Sequence, residues 1–343
     1  MNKAQQLLAL AKVYWSFRRQ EITSQAMPVR LWIEPTSWCN LRCPYCPQAV
    51  PEQPPRGYMD LGLFEKIVDE ARGFVYDVNL THRGESTFHK DLCAMVRLCR
   101  ERGIRTRIHT NATILNTERV DRLLDAAPDL LSFSFDGYDK ATYERNRVNG
   151  KFEKTLAHIE GFLRARQGRG AEKPYTVFQV IEMEDMKTPE QREKGAKLEE
   201  HLRGLGLDKF YRKRLHNWAG HVTVEDDVTW AEGMGRGYVP CTFPWYAMTI
   251  FWDGRVSPCP QDYFEDIILG DCRTQTLPEI WNGEPMRRLR EEMASRRFPE
   301  GHLCPKCDRL CQKAVAGVPV GNLKPFLTEN LLGYEWIRSL VKS

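Results

Sequence analysis

The sequence predicts an α/β protein. Strand–helix units along residues 28–215 share one parallel sheet, closed or partly closed as a barrel, and a smaller hairpin-bearing region follows. Three observations carry this. Short apolar runs of strand length alternate with longer segments of helical period. Residues with chemistry to offer (three cysteines, a Gly-Glu pair, Asn111 and Asp136) fall where strands give way to loops, where barrels place function. Near residue 216 the rhythm stops, and Asp253-Gly254 between two apolar runs signals a hairpin.

The elements follow in order. Residues 2–19 carry Leu7, Leu8, Leu10, Val13 and Phe17 among Lys and Arg, the pattern of an amphipathic helix that caps a domain or meets a partner. Strands are expected over residues 30–34, 77–81, 104–109, 131–135, 175–183 and 210–215. Helices are expected over 61–72, 90–102, 117–127, 152–166 and 189–205, with Asn116 or Thr117 as a cap. Residues 216–240, rich in Gly, Trp and acid, read as a bridge. Residues 241–325 hold the hairpin and two short helices near 277–281 and 285–295, and residues 326–343 read as a terminal helix.

Composition excludes several classes. The 343 residues are 42% hydrophobic and 28% charged, as in ordinary globular proteins. A net charge of +4 without a long basic run argues against a nucleic-acid binder. No apolar stretch reaches the length of a membrane span. The first residues lack a secretory apolar core, so a cytoplasmic location is expected. There the 11 cysteines read as metal ligands or redox groups rather than disulfides.

Cys39-Asn40-Leu41-Arg42-Cys43-Pro44-Tyr45-Cys46 is a C-x3-C-x2-C triplet on a turn after the first strand. Soft thiolate sulfur suits iron–sulfur clusters, zinc and copper(I). A structural zinc site takes four protein ligands, and this loop offers three. A four-iron cluster held by three thiolates keeps one iron open for a substrate or cofactor. Farther on, Cys241 and Cys259 flank the hairpin and Cys304 and Cys307 form a C-x2-C. Cys93 and Cys99, among Leu92, Met95 and Val96, read as core thiols.

The triplet with Tyr45 as its aromatic resembles the signature of the radical S-adenosylmethionine (SAM) enzymes, over roughly residues 28–215. The resemblance implies a partial (β/α)6 TIM-type barrel, a SAM-binding [4Fe–4S] cluster on Cys39, Cys43 and Cys46, and SAM itself. The family's Gly-Gly-Glu-Pro loop stands here as Arg83-Gly84-Glu85-Ser86, departing at its first and last positions, and implies Glu85 at the SAM ammonium. Tyr45 is implied against adenine, Ser134 and Asp136 at the ribose or methionine part, and Arg147 at the carboxylate. Asn111 and Gln179 are further cofactor-binding candidates. Cys241, Cys259, Cys304 and Cys307 resemble the shorter, twitch form of the SPASM module, which implies one auxiliary [4Fe–4S] cluster; zinc is the alternative for that set, and Cys311 competes as a ligand.

Such enzymes take hydrogen from carbon, and the outcome depends on what meets the resulting substrate radical. The resemblance extends to carbohydrate- and cyclitol-modifying members, and a short N-terminus points to a small polar substrate. Epimerisation is therefore expected, with Cys272 or Cys311 as the hydrogen-atom donor. Dehydrogenation through the auxiliary cluster and peptide maturation are the alternatives. His82 and His109, at strand ends, are acid–base candidates. A reductant such as flavodoxin or ferredoxin is the expected partner.

Overall fold

A computed structural model describes residues 3–224, 240–310, 314–315 and 318–319. The expected terminal helix, most of the 216–240 bridge and Cys311 lie outside the described residues.

One nine-stranded sheet organises the chain, in the order β6-β5-β4-β3-β2-β1-β7-β8-β9. Strands β1 (Arg30–Ile33), β2 (Asp77–Leu80), β3 (Arg105–Thr110), β4 (Leu130–Ser134), β5 (Tyr175–Ile181) and β6 (Lys209–Lys213) run parallel. The sheet curls without closing, so the architecture is a partial barrel with a C-terminal hairpin region. The expected strands are present, their ends shifted by a few residues.

Helices α2 (Leu61–Ala71), α3 (Leu92–Glu101), α4 (Thr117–Ala126), α6 (Phe152–Gly168) and α7 (Pro189–Gly204) cross between strands. The starts of α2, α4 and α7 are set by side-chain caps that satisfy otherwise orphaned N–H groups. Asp60 accepts from Leu63 N at 3.0 Å, Asn116 from Arg119 N at 3.1 Å and Thr188 from Gln191 N at 3.3 Å. A further helix, α5 (Lys140–Asn146), escapes the sequence reading. Its start is a reciprocal box in which Asp139 caps Thr142 N and the Thr142 hydroxyl returns to the Asp139 backbone.

Strand alternation separates two chemistries. Leu31, Ile33, Val78, Leu80, Ile108, Leu131, Phe133, Phe178 and Val180 pack with the helices in the main core. The alternate positions, on the inner face, are largely polar: Arg30, Asp77, Asn79, Arg107, His109, Ser132 and Gln179. Parallel sheets are ordinarily apolar on both faces. An inner face of this kind is a site wall rather than a packed core.

The hairpin does not form a separate layer. β7 (Ala247–Ile250) pairs parallel with β1, Leu31 opposite Met248 and Ile33 opposite Ile250, and β8 (Arg255–Ser257) and β9 (Gly270–Asp271) continue antiparallel. The first helix, α1 (Lys3–Arg18), also joins this end of the chain. Phe17 meets Trp245 edge to face at 5.6 Å, and the indole of Trp245 donates to Glu21 O at 2.9 Å. Helix α8 (Leu277–Trp281) and helix α9 (Glu284–Ser295) hold the following segment: Trp281 Nε1 donates to Ala26 O and Arg290 Nη1 to Ile22 O. Among the described residues no helix is long and apolar enough to cross a membrane.

Candidate functional site

The three-cysteine loop leaves the C-terminal end of β1. Its turn is pinned by Cys46 N donating to Cys43 O at 3.0 Å. Burial raises all three thiols, Cys39 to about 11 and Cys46 to about 12, and neighbouring sulfurs add to this at Cys39 and Cys46. Two donors reach them. Asn111 Nδ2 lies 3.8 Å from Cys39 Sγ, and Arg147 Nη1 lies 3.8 Å from Cys43 Sγ. A buried guanidinium beside sulfur suits an anionic thiolate, the form in which cysteine binds metal. This donor set fits an iron–sulfur cluster.

The Gly-Glu loop lies against the stretch that leads into the cysteines. A Cβ at Gly84 would sit 2.1 Å from Thr36 O, so only glycine permits this approach. Glu85 N donates to Trp38 O at 2.8 Å. The Glu85 carboxylate accepts from Thr87 N, from the Thr87 hydroxyl at 2.6 Å and from Asn111 N at 2.6 Å. It thus braces the end of β3 against the end of β2, and each oxygen keeps acceptor capacity for a ligand.

The remaining cofactor candidates gather on neighbouring strand ends. Asp136 accepts from Ile181 N at 2.7 Å through Oδ1 and pairs with Arg147 through Oδ2. Asn146 Nδ2 donates to the Asp136 carbonyl, and Tyr45 lies 3.5 Å from Asn146 Oδ1. Ser134 and Gln179 are opposite one another on β4 and β5. Glu85 and Asn111 therefore reach Cys39, and Asp136 and Arg147 reach Cys43, as two networks on the one cysteine loop.

Arg83, where the resembled loop has glycine, is buried. It reaches Glu34 with Nε at 2.8 Å and Nη2 at 2.6 Å, and Glu265 with Nη1 at 2.6 Å. Although burial opposes ionisation, Arg83 and then His82 hold the Glu34 carboxyl far below the carboxylate range. His82 lies 3.5 Å from Glu34 and 3.1 Å from Pro260 O, next to Cys259, so it is sequestered in this junction.

Cys241, Cys259, Cys304 and Cys307 line one recess, with Phe243, Leu289 and Met293 among its apolar walls. Burial, and then mutual repulsion, pushes Cys241, Cys259 and Cys307 up to about 12 and Cys304 well above the usual thiol. Four thiols facing an apolar recess fit a second cluster. Among the described residues no three His, Cys, Asp or Glu side chains converge on a point as one metal ion requires. A four-iron cluster has no such requirement, since each thiolate meets its own iron.

The structure does not bring Cys272 to either set. It is 1% exposed in the hydrophobic core, and its charged neighbours are Glu70 and Lys66 on α2. Cys93 and Cys99 are in the same core. The aromatics near the junction also divide. Trp245 is core, Trp252 lies over Gly57, and Trp218 meets His216 at 4.6 Å. Sequence reasoning missed Lys213, at the inner end of β6. The alternation of Lys209, Tyr211 and Lys213 held the signal, obscured by the charge of the whole strand.

Residues 33–176 match the model of the radical SAM superfamily, and residues 241–308 match that of the SPASM iron–sulfur cluster-binding domain. The chain is 27% identical over 293 residues to a tungsten-containing aldehyde ferredoxin oxidoreductase cofactor-modifying protein of Pyrococcus furiosus, covering 74% of this chain and 81% of that one. It is 25% identical over 306 residues to the AdoMet-dependent heme synthase of Methanosarcina barkeri, covering 75% and 83%. It is 25% identical over 291 residues to the PqqA peptide cyclase of Gluconobacter oxydans, covering 77% and 79%. In fold it is similar to Streptococcus suis SuiB bound to precursor peptide SuiA, with TM-score 0.62, 16% identity and coverage of 88% and 73%. It is also similar to BtrN in complex with AdoMet and 2-DOIA, with TM-score 0.54, 18% identity and coverage of 82% and 93%.

Proposed function

Because the chain belongs to the radical SAM superfamily and carries a SPASM domain, we propose that it is an oxidative peptide-modifying enzyme. The superfamily's [4Fe–4S] cluster and SAM, and auxiliary iron–sulfur binding by the SPASM domain, are its cofactors. When bound, they supply a 5′-deoxyadenosyl radical that takes a hydrogen atom from substrate carbon.

The chain's residues divide the remaining work. Cys39, Cys43 and Cys46 would hold the SAM-binding cluster, and Cys241, Cys259, Cys304 and Cys307 an auxiliary one. Arg147 places positive charge on Cys43 and takes its own orientation from Asp136. Glu85, Asn111, Ser134, Asp136 and Gln179 line the strand ends where SAM would be oriented, and Tyr45 borders them. The apolar walls around the second cysteine set exclude water, which raises the worth of every charge there. Cys241, Cys259, Cys304 and Cys307 would hold the group that accepts a second electron from the substrate, and loss of a proton to a basic group would then leave a new bond or a double bond at the carbon. An external reductant restores the electron used to cleave SAM.

One observation carries the peptide reading: similarity to the PqqA peptide cyclase of Gluconobacter oxydans spans 77% of this chain and 79% of that one. Among the described residues the sheet stays unclosed with β6 at its edge, which suits entry of an extended chain. Carbohydrate epimerisation has less support. It needs a thiol facing the substrate radical; of the two candidates, Cys272 lies in the core and Cys311 lies outside the described residues.

The test is anaerobic turnover with SAM, a reductant and the short peptides encoded beside the gene, followed by mass spectrometry. Formation of 5′-deoxyadenosine with loss of two hydrogens from a peptide is expected. Turnover of sugars or cyclitols with every peptide unchanged would sink the reading.

A further inference from the structure

Among the described residues, the inner end of β6 holds one lysine, Lys213, without a counter-ion in contact. Among the described residues, the Lys213 ammonium makes no hydrogen bond and no ion pair. The charges that act on it are Asp136 and Arg147, beside the three-cysteine loop, and Arg309, beside Cys307. Lys213 is therefore within electrostatic reach of groups beside both cysteine sets, as a substrate that gives up hydrogen to one and an electron to the other must be.

Two imidazoles lie within electrostatic reach of Lys213. Lys213 acts on both His109 and His216; with Arg107 on the first and Arg309 on the second, it adds to burial in holding the rings neutral, near 3. Burial likewise brings Lys213 down to about 8, which leaves it mostly charged at neutral pH. His216 Nδ1 is buried without a hydrogen-bond partner. Farther along the same inner face, the Ser132 hydroxyl is buried without one as well, and Ser132 is the register partner of His109. Orphaned buried donors are costly, and a bound acceptor relieves them.

We propose that Lys213, with His109 and His216, forms an anion site that takes a carboxylate of the substrate and fixes it between the two cysteine centres. On the peptide reading above, on which the choice of an acidic side chain rests, the ligand is a glutamate or aspartate residue. The carboxylate supplies the acceptor that the ammonium and imidazoles lack. It also aims the neighbouring C–H bonds along the wall towards Cys39, Cys43 and Cys46. No proton or electron moves in this step; Lys213 is a positioning and specificity residue.

The probe is N-acetylglutamate N-methylamide, with its neutral isostere N-acetylglutamine N-methylamide. Both are titrated by calorimetry into the anaerobically reconstituted full chain with SAM. The acid should bind saturably and at least tenfold more tightly than the amide. Lys213→Met should abolish that preference, Lys213→Arg should keep it within a few fold, and Arg164→Ala, on the exposed face of α6, should leave it unchanged. Iron content and circular dichroism establish that each variant folds. Equal affinity for acid and amide, or a preference that survives in Lys213→Met, overturns the site. Glutarate separates the two ideas. Binding as tight as that of the peptide-framed acid sustains the anion site while counting against a peptide substrate.

Discussion

Arg83 grips Glu34 with two parallel hydrogen bonds of 2.8 and 2.6 Å, and the same guanidinium reaches Glu265 across the junction to the SPASM domain. Trp252 N also donates to Glu34 at 3.2 Å. One buried carboxylate thus ties β1, the Gly-Glu loop and the hairpin together. Removing either partner strands a buried charge, which costs about 3–5 kcal/mol. Arg83→Met should therefore lower the urea midpoint strongly. The Arg83→Met/Glu34→Leu double variant should recover much of the loss, as double-mutant-cycle unfolding will show.

The same pair sets an acid limit. The folded Glu34 carboxyl is held below the 4.5 of an unconstrained glutamate. Its contribution to stability is therefore fully present above pH 4.5 and is lost as the pH falls through the lower folded value. Between pH 6 and pH 3, wild type should lose more stability than Glu34→Gln does. Equal slopes in pH-dependent unfolding would remove Glu34 from the account.

Arg147 is expected to tune the first cysteine set. Hydrogen bonds to charged groups contribute about 1.5–3 kcal/mol. Arg147→Ala should shift the reduction potential of the reconstituted cluster and slow 5′-deoxyadenosine formation about tenfold or more. Arg147→Lys should recover only part of this, because one ammonium cannot span Asp136 and Cys43 as a guanidinium does. Potentiometry and product quantitation check both.

Cys304→Ser should separate the two centres. Iron is expected to fall from about eight to about four per chain. Cleavage of SAM should continue while substrate oxidation stops. Iron that stays near eight would remove Cys304 from the auxiliary set.

Cys272→Ala should leave turnover and product unchanged and cost about 1 kcal/mol of stability through lost packing. Loss of deuterium uptake from heavy water in this variant would restore a hydrogen-donating role.

The repeated strand–helix units, the cysteine triplet and the Gly84-Glu85 pair were legible because each rests on local pattern. Alternation fixes the strands, thiol spacing fixes the ligand set, and Gly84 is required by a contact at 2.1 Å. What was not legible depends on distant partners. Arg83 reads as a defect in a motif until Glu34 and Glu265 are seen around it. Cys272 reads as a spare thiol near an active site until its packing against α2 is seen. Lys213 is one of two lysines on β6, and only the fold brings it within electrostatic reach of His109 and His216. Helix α5 was missed because seven residues give too short a period, although its Asp139–Thr142 box is local.

The parallel pairing of β1 with β7 also governs how the chain comes into being. β1 is among the first strands made and β7 among the last, so the sheet stays incomplete through most of synthesis. Until Ala247–Ile250 arrive, one side of β1 presents unpaired backbone groups beside Leu31 and Ile33, an adhesive edge for any neighbouring strand. Contacts between sequence-distant segments are slow to form. Expression that outpaces this closing step is expected to yield aggregates even when iron is abundant, and slower synthesis at low temperature to yield soluble protein.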